Sequence, residues 1–116
     1  MGAYVKAANT SDFQNGSKKK VVVQGKEIMV AMSGNKYFAI DDRCPHMSGD
    51  LSAGTLEGLV ITCPRHGSQF DITDGHNVRW MKGSGLMSSA LKAVSSSKPV
   101  KSYKIKVEGA DIMIEI

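Results

Sequence analysis

Apolar and polar residues alternate with a period of two near both ends of the chain. Val21-Val22-Val23 runs into a Gln24-Gly25-Lys26 turn. Ile28, Val30 and Met32 then alternate with Met29 and Ala31, and Gly34-Asn35 separates this run from Lys36-Tyr37-Phe38-Ala39-Ile40. Two such runs about a two-residue turn predict a β-hairpin. At the far end Tyr103, Ile105 and Val107 alternate with Lys104 and Lys106. Glu108-Gly109-Ala110-Asp111 reverses the chain, and Ile112, Ile114 and Ile116 alternate with Met113 and Glu115. This predicts a second hairpin. Thr55 to Thr62 reads as a strand pair with turns at Gly54 and Gly58. The fold class is all-β; strand spacing alone allows a sandwich or a barrel.

One stretch breaks the pattern. After Trp80-Met81-Lys82-Gly83-Ser84-Gly85, the residues Leu86, Met87, Ala90, Leu91 and Val94 fall at helical spacing, before Ser95-Ser96-Ser97-Lys98-Pro99. A short amphipathic helix over 86–94 is expected. It packs on the β base or serves as a partner-docking element.

The chemistry is concentrated in two short segments. Cys44-Pro45-His46-Met47-Ser48-Gly49-Asp50-Leu51 carries Cys-x-His, and Cys63-Pro64-Arg65-His66-Gly67-Ser68-Gln69-Phe70-Asp71 carries Cys-x-x-His, with sixteen residues between the pairs. Thiolates are soft, anionic ligands that suit iron and bridging sulfide, and imidazole is a neutral ligand. A structural zinc site also uses two Cys and two His, but it usually groups the Cys in one knuckle and the His on one helical turn. A Cys44–Cys63 disulfide would leave both His unexplained. A Cys/His nucleophilic pair needs no second, matching loop.

The paired loops resemble the Rieske family, specifically over residues 44–71 and loosely from Val21 to Ile116. The resemblance implies one [2Fe–2S] cluster per chain, held by Cys44 and Cys63 on one iron and by His46 and His66 on the other. It also implies an antiparallel β-sandwich base (1–41 and 76–116) carrying a cluster-binding subdomain at about 42–75, all within one domain, 1–116. Two imidazoles in place of two thiolates remove two negative charges, which raises the potential above that of all-Cys clusters. Reduction would raise the imidazole pKa values and couple electron uptake to proton uptake at alkaline pH.

The neighbouring residues refine this expectation. High-potential members of the family brace their loops with an extra Cys in each, and no such Cys is present here. They also place a Ser and a Tyr after the second His as hydrogen-bond donors. Ser68 matches the Ser, and Phe70 stands at the Tyr position without a hydroxyl. A lost donor lowers the potential, so a value near the negative end of the roughly −150 to +300 mV Rieske range is expected. Ser68 read without the resemblance is a turn hydroxyl. Gly67 is expected where backbone approaches the cluster closely. Pro45, Met47 and Pro64 flank it, the prolines stiffening the loops. Arg65 is either a docking residue or a solvated side chain, and His76 reads as a turn residue.

The remaining features set bounds. A chain of 116 residues forms one domain, enough to bury about two thirds of its unfolded surface. The 7 Met read as core filler. Both Cys belong to the motif, which leaves no structural disulfide and suits a reducing cytoplasm. The net charge is +4, with Lys18, Lys19 and Lys20 read as a solvated turn before a strand. A basic surface can also steer docking to an acidic partner. No aromatics interleave with the basic residues, which argues against nucleic acid. No stretch approaches the roughly 20 apolar residues of a membrane span, Met1 to Lys6 lacks a signal-peptide core, and Lys6 stands where N-myristoylation needs Ser or Thr.

The expected function is that of a small Rieske-type ferredoxin, a monomeric one-electron carrier rather than an enzyme. A reductase would supply it and an oxygenase or other oxidoreductase would accept from it. The alternatives are a small electron-transfer subunit of a larger complex and a redox-sensing interaction module. A catalytic oxygenase subunit would need two more His and a carboxylate for a mononuclear iron, and only His76 remains.

Overall fold

The structure, a computed structural model, describes residues 3–43, 50–64, 67–79 and 99–116. The strands among the described residues form three antiparallel sheets. The first is β1 (Tyr4–Asn9), β11 (Asp111–Glu115) and β10 (Ile105–Glu108), in that order. The second is β2 (Lys18–Val23), β3 (Lys26–Ser33), β4 (Lys36–Asp41) and β9 (Ser102–Tyr103). The third is β5 (Thr55–Glu57), β6 (Val60–Thr62), β7 (Gln69–Asp71) and β8 (Asn77–Arg79). Among the described residues the only helical turns are 3-10, at Thr10–Asp12 and Leu51–Ala53. The expected helix at 86–94 lies outside the described residues.

Strand β3 explains how these sheets fit together. Ile28, Met29, Val30 and Ala31 are all fully buried, so both faces of the strand are covered. Met29 and Ala31 join Ile40, Leu51, Ile61, Cys63, Phe70, Ile72 and Val100 in one apolar cluster. Ile28 and Val30 join Ala8, Val21, Val23, Ala39, Tyr103, Ile112 and Ile114 in another. The middle sheet is therefore a shared wall. One face packs on the sheet built from both chain ends, and the other supports the region that follows the first Cys/His segment. Each fully buried side chain of this size contributes about 1.5–3 kcal/mol of transfer free energy.

The turns follow local chemistry. Gln24-Gly25 and Gly34-Asn35 take left-handed φ at both central positions (51° and 80°; 59° and 63°), the geometry that matches the twist of two-residue hairpins. Gly58 turns β5 into β6, and Gly109 turns β10 into β11. Both ends of the chain meet in one sheet, where Tyr4 pairs with Glu115 and Val5 with Ile114.

Two expectations need correction. Lys18, Lys19 and Lys20 are not a turn; they lie in β2, opposite Ala31, Val30 and Met29. β2 is an edge strand, where lysines are well tolerated because they keep a further strand from pairing. The Tyr103–Val107 run is not one strand. Tyr103 pairs with Ala39 in the middle sheet and Ile105 pairs with Ile114 in the outer one. The chain crosses between sheets at Lys104, whose carbonyl accepts the Glu115 N–H at 2.9 Å. The apolar alternation runs through the crossing and conceals it. Strands β7 and β8 are only 3 residues long each, and β1 lacks a clean period-two alternation, so none of them declared itself in the pattern.

Candidate metal centre

The second Cys/His segment is the tip of a hairpin. β6 and β7 pair Val60 with Asp71, Ile61 with Phe70 and Thr62 with Gln69. The ladder continues one step, as the Cys63 N–H donates to the Ser68 carbonyl at 2.7 Å. The Gly67 N–H donates to the Cys63 carbonyl at 3.1 Å, and Gly67 has φ +76°, a left-handed conformation that favours glycine. Cys63 is 2% exposed and forms no disulfide. Pro64 is exposed. Phe70 is fully buried in the same apolar cluster as Cys63. Ser68 is fully buried, and its hydroxyl has no hydrogen-bond partner among the described residues.

The first segment is held at its shoulders. Arg43 bridges to Asp50 across residues 44–49. Asp42, fully buried, accepts the Leu51 N–H on its carbonyl and the Ser52 N–H on its carboxylate, both at 2.6 Å. Its own N–H donates to the Glu27 carbonyl at 3.0 Å. Lys20 Nζ adds a charged clamp, 3.0 Å from Asp50, 2.8 Å from Glu27 and 3.6 Å from Asp42. Hydrogen bonds donated to Glu27 and Asp50 raise the Lys20 pKa above the ordinary lysine range.

Glycine brings the two segments together. A Cβ on Gly54 would lie 1.9 Å from the Thr62 carbonyl oxygen, well inside van der Waals contact. The Leu51–Ala53 turn therefore packs directly against the residue before Cys63. Leu51, just beyond the first segment, shares its apolar cluster with Cys63.

Of the residues expected at the site, Cys63, Pro64, Gly67, Ser68 and Phe70 are placed as above. Cys44, Pro45, His46, Met47, Arg65 and His66 lie outside the described residues. Lys20, Asp42 and Asp50 were not anticipated. The only sequence signal was the presence of two carboxylates flanking the Cys44 segment. His76 lies in the turn before β8. Its Nδ1 is 2.6 Å from Asp74 Oδ1, and its backbone N–H and then its ring hold the Asp74 carboxyl below its usual pKa.

These observations suit an iron–sulfur group. A buried free thiol is available as a thiolate ligand, and a buried hydroxyl without a partner is a donor in need of an acceptor. The loop that carries both is held by backbone hydrogen bonds, which fix ligand direction. The sequence profile of the Rieske [2Fe-2S] domain matches residues 3–104. The chain belongs to the Rieske [2Fe–2S] domain family. The cofactor of that family is a Rieske-type [2Fe–2S] cluster.

The chain is 31% identical over 113 residues to the ferredoxin component of the naphthalene 1,2-dioxygenase system of Pseudomonas putida, covering 97% of this chain and 95% of that one. It is 25% identical over 114 residues to the ferredoxin component of biphenyl 2,3-dioxygenase from Rhodococcus jostii. Among solved structures it resembles the ferredoxin of carbazole 1,9a-dioxygenase from Nocardioides aromaticivorans, with TM-score 0.77, 26% identity and coverage of 97% and 96%. A solved complex of reduced oxygenase and oxidised ferredoxin in carbazole 1,9a-dioxygenase contains a chain similar to the same degree, TM-score 0.77 at 26% identity. The expectation of an all-β Rieske-type fold is thus met. No helix among the described residues is long and apolar enough to cross a membrane.

Proposed function

We propose that this chain is a one-electron carrier, a Rieske-type ferredoxin that takes electrons from a reductase and delivers them to an oxygenase or other oxidoreductase. The observation that carries this reading is the end-to-end match to a free-standing ferredoxin component, 97% of this chain against 95% of the relative. By contrast, the methylxanthine N1-demethylase of Pseudomonas putida is matched over only 14% of its length.

In this reading Cys44 and Cys63 hold one iron, His46 and His66 the other, and Pro45, Met47, Pro64, Gly67, Ser68 and Phe70 surround them. The group supplies reversible one-electron chemistry when bound. The protein contributes the rest. Cys63 is withheld from water at the root of its hairpin, where desolvation strengthens every local electrostatic effect. Gly67 lets the loop turn back so that Cys63 and Ser68 face each other across the ladder. Ser68 offers its unsatisfied O–H, and Phe70 fills its position with carbon only.

The chain acts as one domain, with a cluster-binding subdomain at about 42–75 on a β base. The apolar cluster running from Leu51 to Ile72 against Met29 and Ala31 supports this division. The carrier works as a monomer in the cytoplasm, where a reducing environment suits the free Cys63 thiol. Reconstitution tests the function. The iron-loaded chain is added to the reductase and oxygenase of the Pseudomonas putida naphthalene dioxygenase system in place of the ferredoxin component. Product formation that depends on the added chain supports the reading; reduction by the reductase with no onward transfer to any oxidoreductase contradicts it.

A further inference from the structure

Lys26, Arg43 and Lys101 come from three separate parts of the chain and line one shallow depression of about 380 Å³. Lys26 opens β3, Arg43 immediately precedes Cys44, and Lys101 leads into β9. All three are exposed, and none has an ion pair among the described residues. The two acids in the same walls are already engaged. Glu27 is paired with Lys20 at 2.8 Å, and Asp41 accepts the Tyr103 hydroxyl at 2.5 Å. Tyr103 is itself fixed, with Lys101 Nζ 5.0 Å from its ring centroid. Three cations against the two acids Glu27 and Asp41 leave the depression net positive beside the root of the first Cys/His segment.

We propose that this depression is a docking seat for carboxylates on the acidic face of a redox partner protein. The inference rests on the carrier reading and adds the chemistry of the partner. Acidic side chains would pair with Lys26, Arg43 and Lys101 and hold the partner next to the segment that begins at Cys44. In each encounter one electron leaves the reduced protein and reduces the acceptor, with no atom or proton exchanged. The attraction is strongest at low salt, because the screening length is about 10 Å at 0.1 M ionic strength.

The test uses oxidised cytochrome b5, an acidic haem protein that accepts one electron as ferric haem becomes ferrous. The iron-loaded chain is reduced with dithionite, freed of excess reductant and mixed with it by stopped flow across a range of ionic strengths. Two double variants with equal charge change are compared. Lys26→Glu/Lys101→Glu alters the seat. Lys18→Glu/Lys36→Glu alters the opposite end of the same sheet, since Lys18 pairs with Ala31 and Lys36 with Ser33, at the far end of β3 from Lys26. The seat variant is expected to react about tenfold more slowly at low salt and to lose most of its salt dependence, while the other stays within about twofold of the parent. Equal slowing in both variants assigns the effect to net charge and overturns the proposal, as does a seat variant with the parent's rate and salt slope. Should the double variant fail to hold iron, Lys101→Gln and Arg43→Gln make the same comparison singly. A parent chain that dithionite does not reduce reversibly counts against the carrier reading, not against the seat.

Discussion

Lys20 Nζ lies 3.0 Å from Asp50 Oδ2, and this ion pair ties the edge strand β2 to the residue that closes the first Cys/His segment. The same ammonium faces Asp42 at 3.6 Å, a carboxylate with no exposure at all. Lys20→Met leaves that buried carboxylate without its cation, an arrangement that costs more than an exposed pair would suggest. The variant should lose iron to a chelator several-fold faster than the parent, since outer-shell partners commonly change metal retention by about 10–100-fold. Lys20→Arg should recover most of the loss.

The Lys20 clamp also has a predictable pH window. Its pKa is raised in the folded protein by Glu27 and Asp50. A raised lysine pKa means that the contribution to stability is fully present below the unfolded value of 10.5 and fades only as pH climbs through the higher folded value. An NMR titration of the Lys20 side chain should show it still charged at pH 10.5, where an unperturbed lysine would be half neutral. A midpoint at or below that pH would contradict the clamp.

Gly54 is predicted to be intolerant of any side chain. The Cβ of Gly54→Ala would fall 1.9 Å from the Thr62 carbonyl oxygen, backbone that cannot move without shifting Cys63. Overpacking of this kind costs about 1–3 kcal/mol or more. Chemical denaturation should register the loss, and iron content per chain should fall with it.

Adjacent residues of β3 should separate the two cores. Met29→Ala and Ile28→Ala each remove a fully buried side chain and should each cost about 2–5 kcal/mol. Only Met29 packs in the cluster that contains Cys63. Met29→Ala should therefore change the visible absorption of the iron-loaded protein, whereas Ile28→Ala should lower the unfolding midpoint and leave the spectrum intact.

Ser68 carries the prediction on redox tuning. Its hydroxyl is buried and has no hydrogen-bond partner among the described residues, which leaves it free to donate to a bound group. Ser68→Ala should lower the midpoint potential. A differential hydrogen bond of about 1 kcal/mol corresponds to roughly 40 mV for one electron, at 59 mV per tenfold. An unchanged potential would make Ser68 a packing residue only.

The parts of this structure that could be read in the sequence are those encoded locally. Gly34-Asn35 and the flanking alternation specify their hairpin because turn type and strand twist are set by neighbouring residues. The Cys63 to Ser68 segment was legible as a ligand motif, since the ligand types and their spacing are themselves local, but its hairpin was not, because β7 is only 3 residues long. Non-local relationships were not. Tyr103 and Ile105 continue one alternation yet belong to different sheets, a fact decided by partners more than sixty residues away in one case, Ala39, and nine in the other, Ile114. The lysine run of β2 reads as a solvated turn because edge strands accept polar residues on both faces. The clamp made by Lys20, Glu27, Asp42 and Asp50 leaves no trace in spacing, since ion pairs across sheet and loop have no characteristic period.

The central claim is a mixed-ligand [2Fe–2S] carrier of low potential. A redox titration of the iron-loaded chain, followed by EPR with resolution of ligand nitrogen couplings, tests it most directly. The account predicts a reversible one-electron step near the negative end of the roughly −150 to +300 mV Rieske range, giving one paramagnetic centre per chain coupled to two imidazole nitrogens. A centre with no nitrogen coupling, a midpoint well above zero at neutral pH, or a metal that gives no signal on reduction would contradict it.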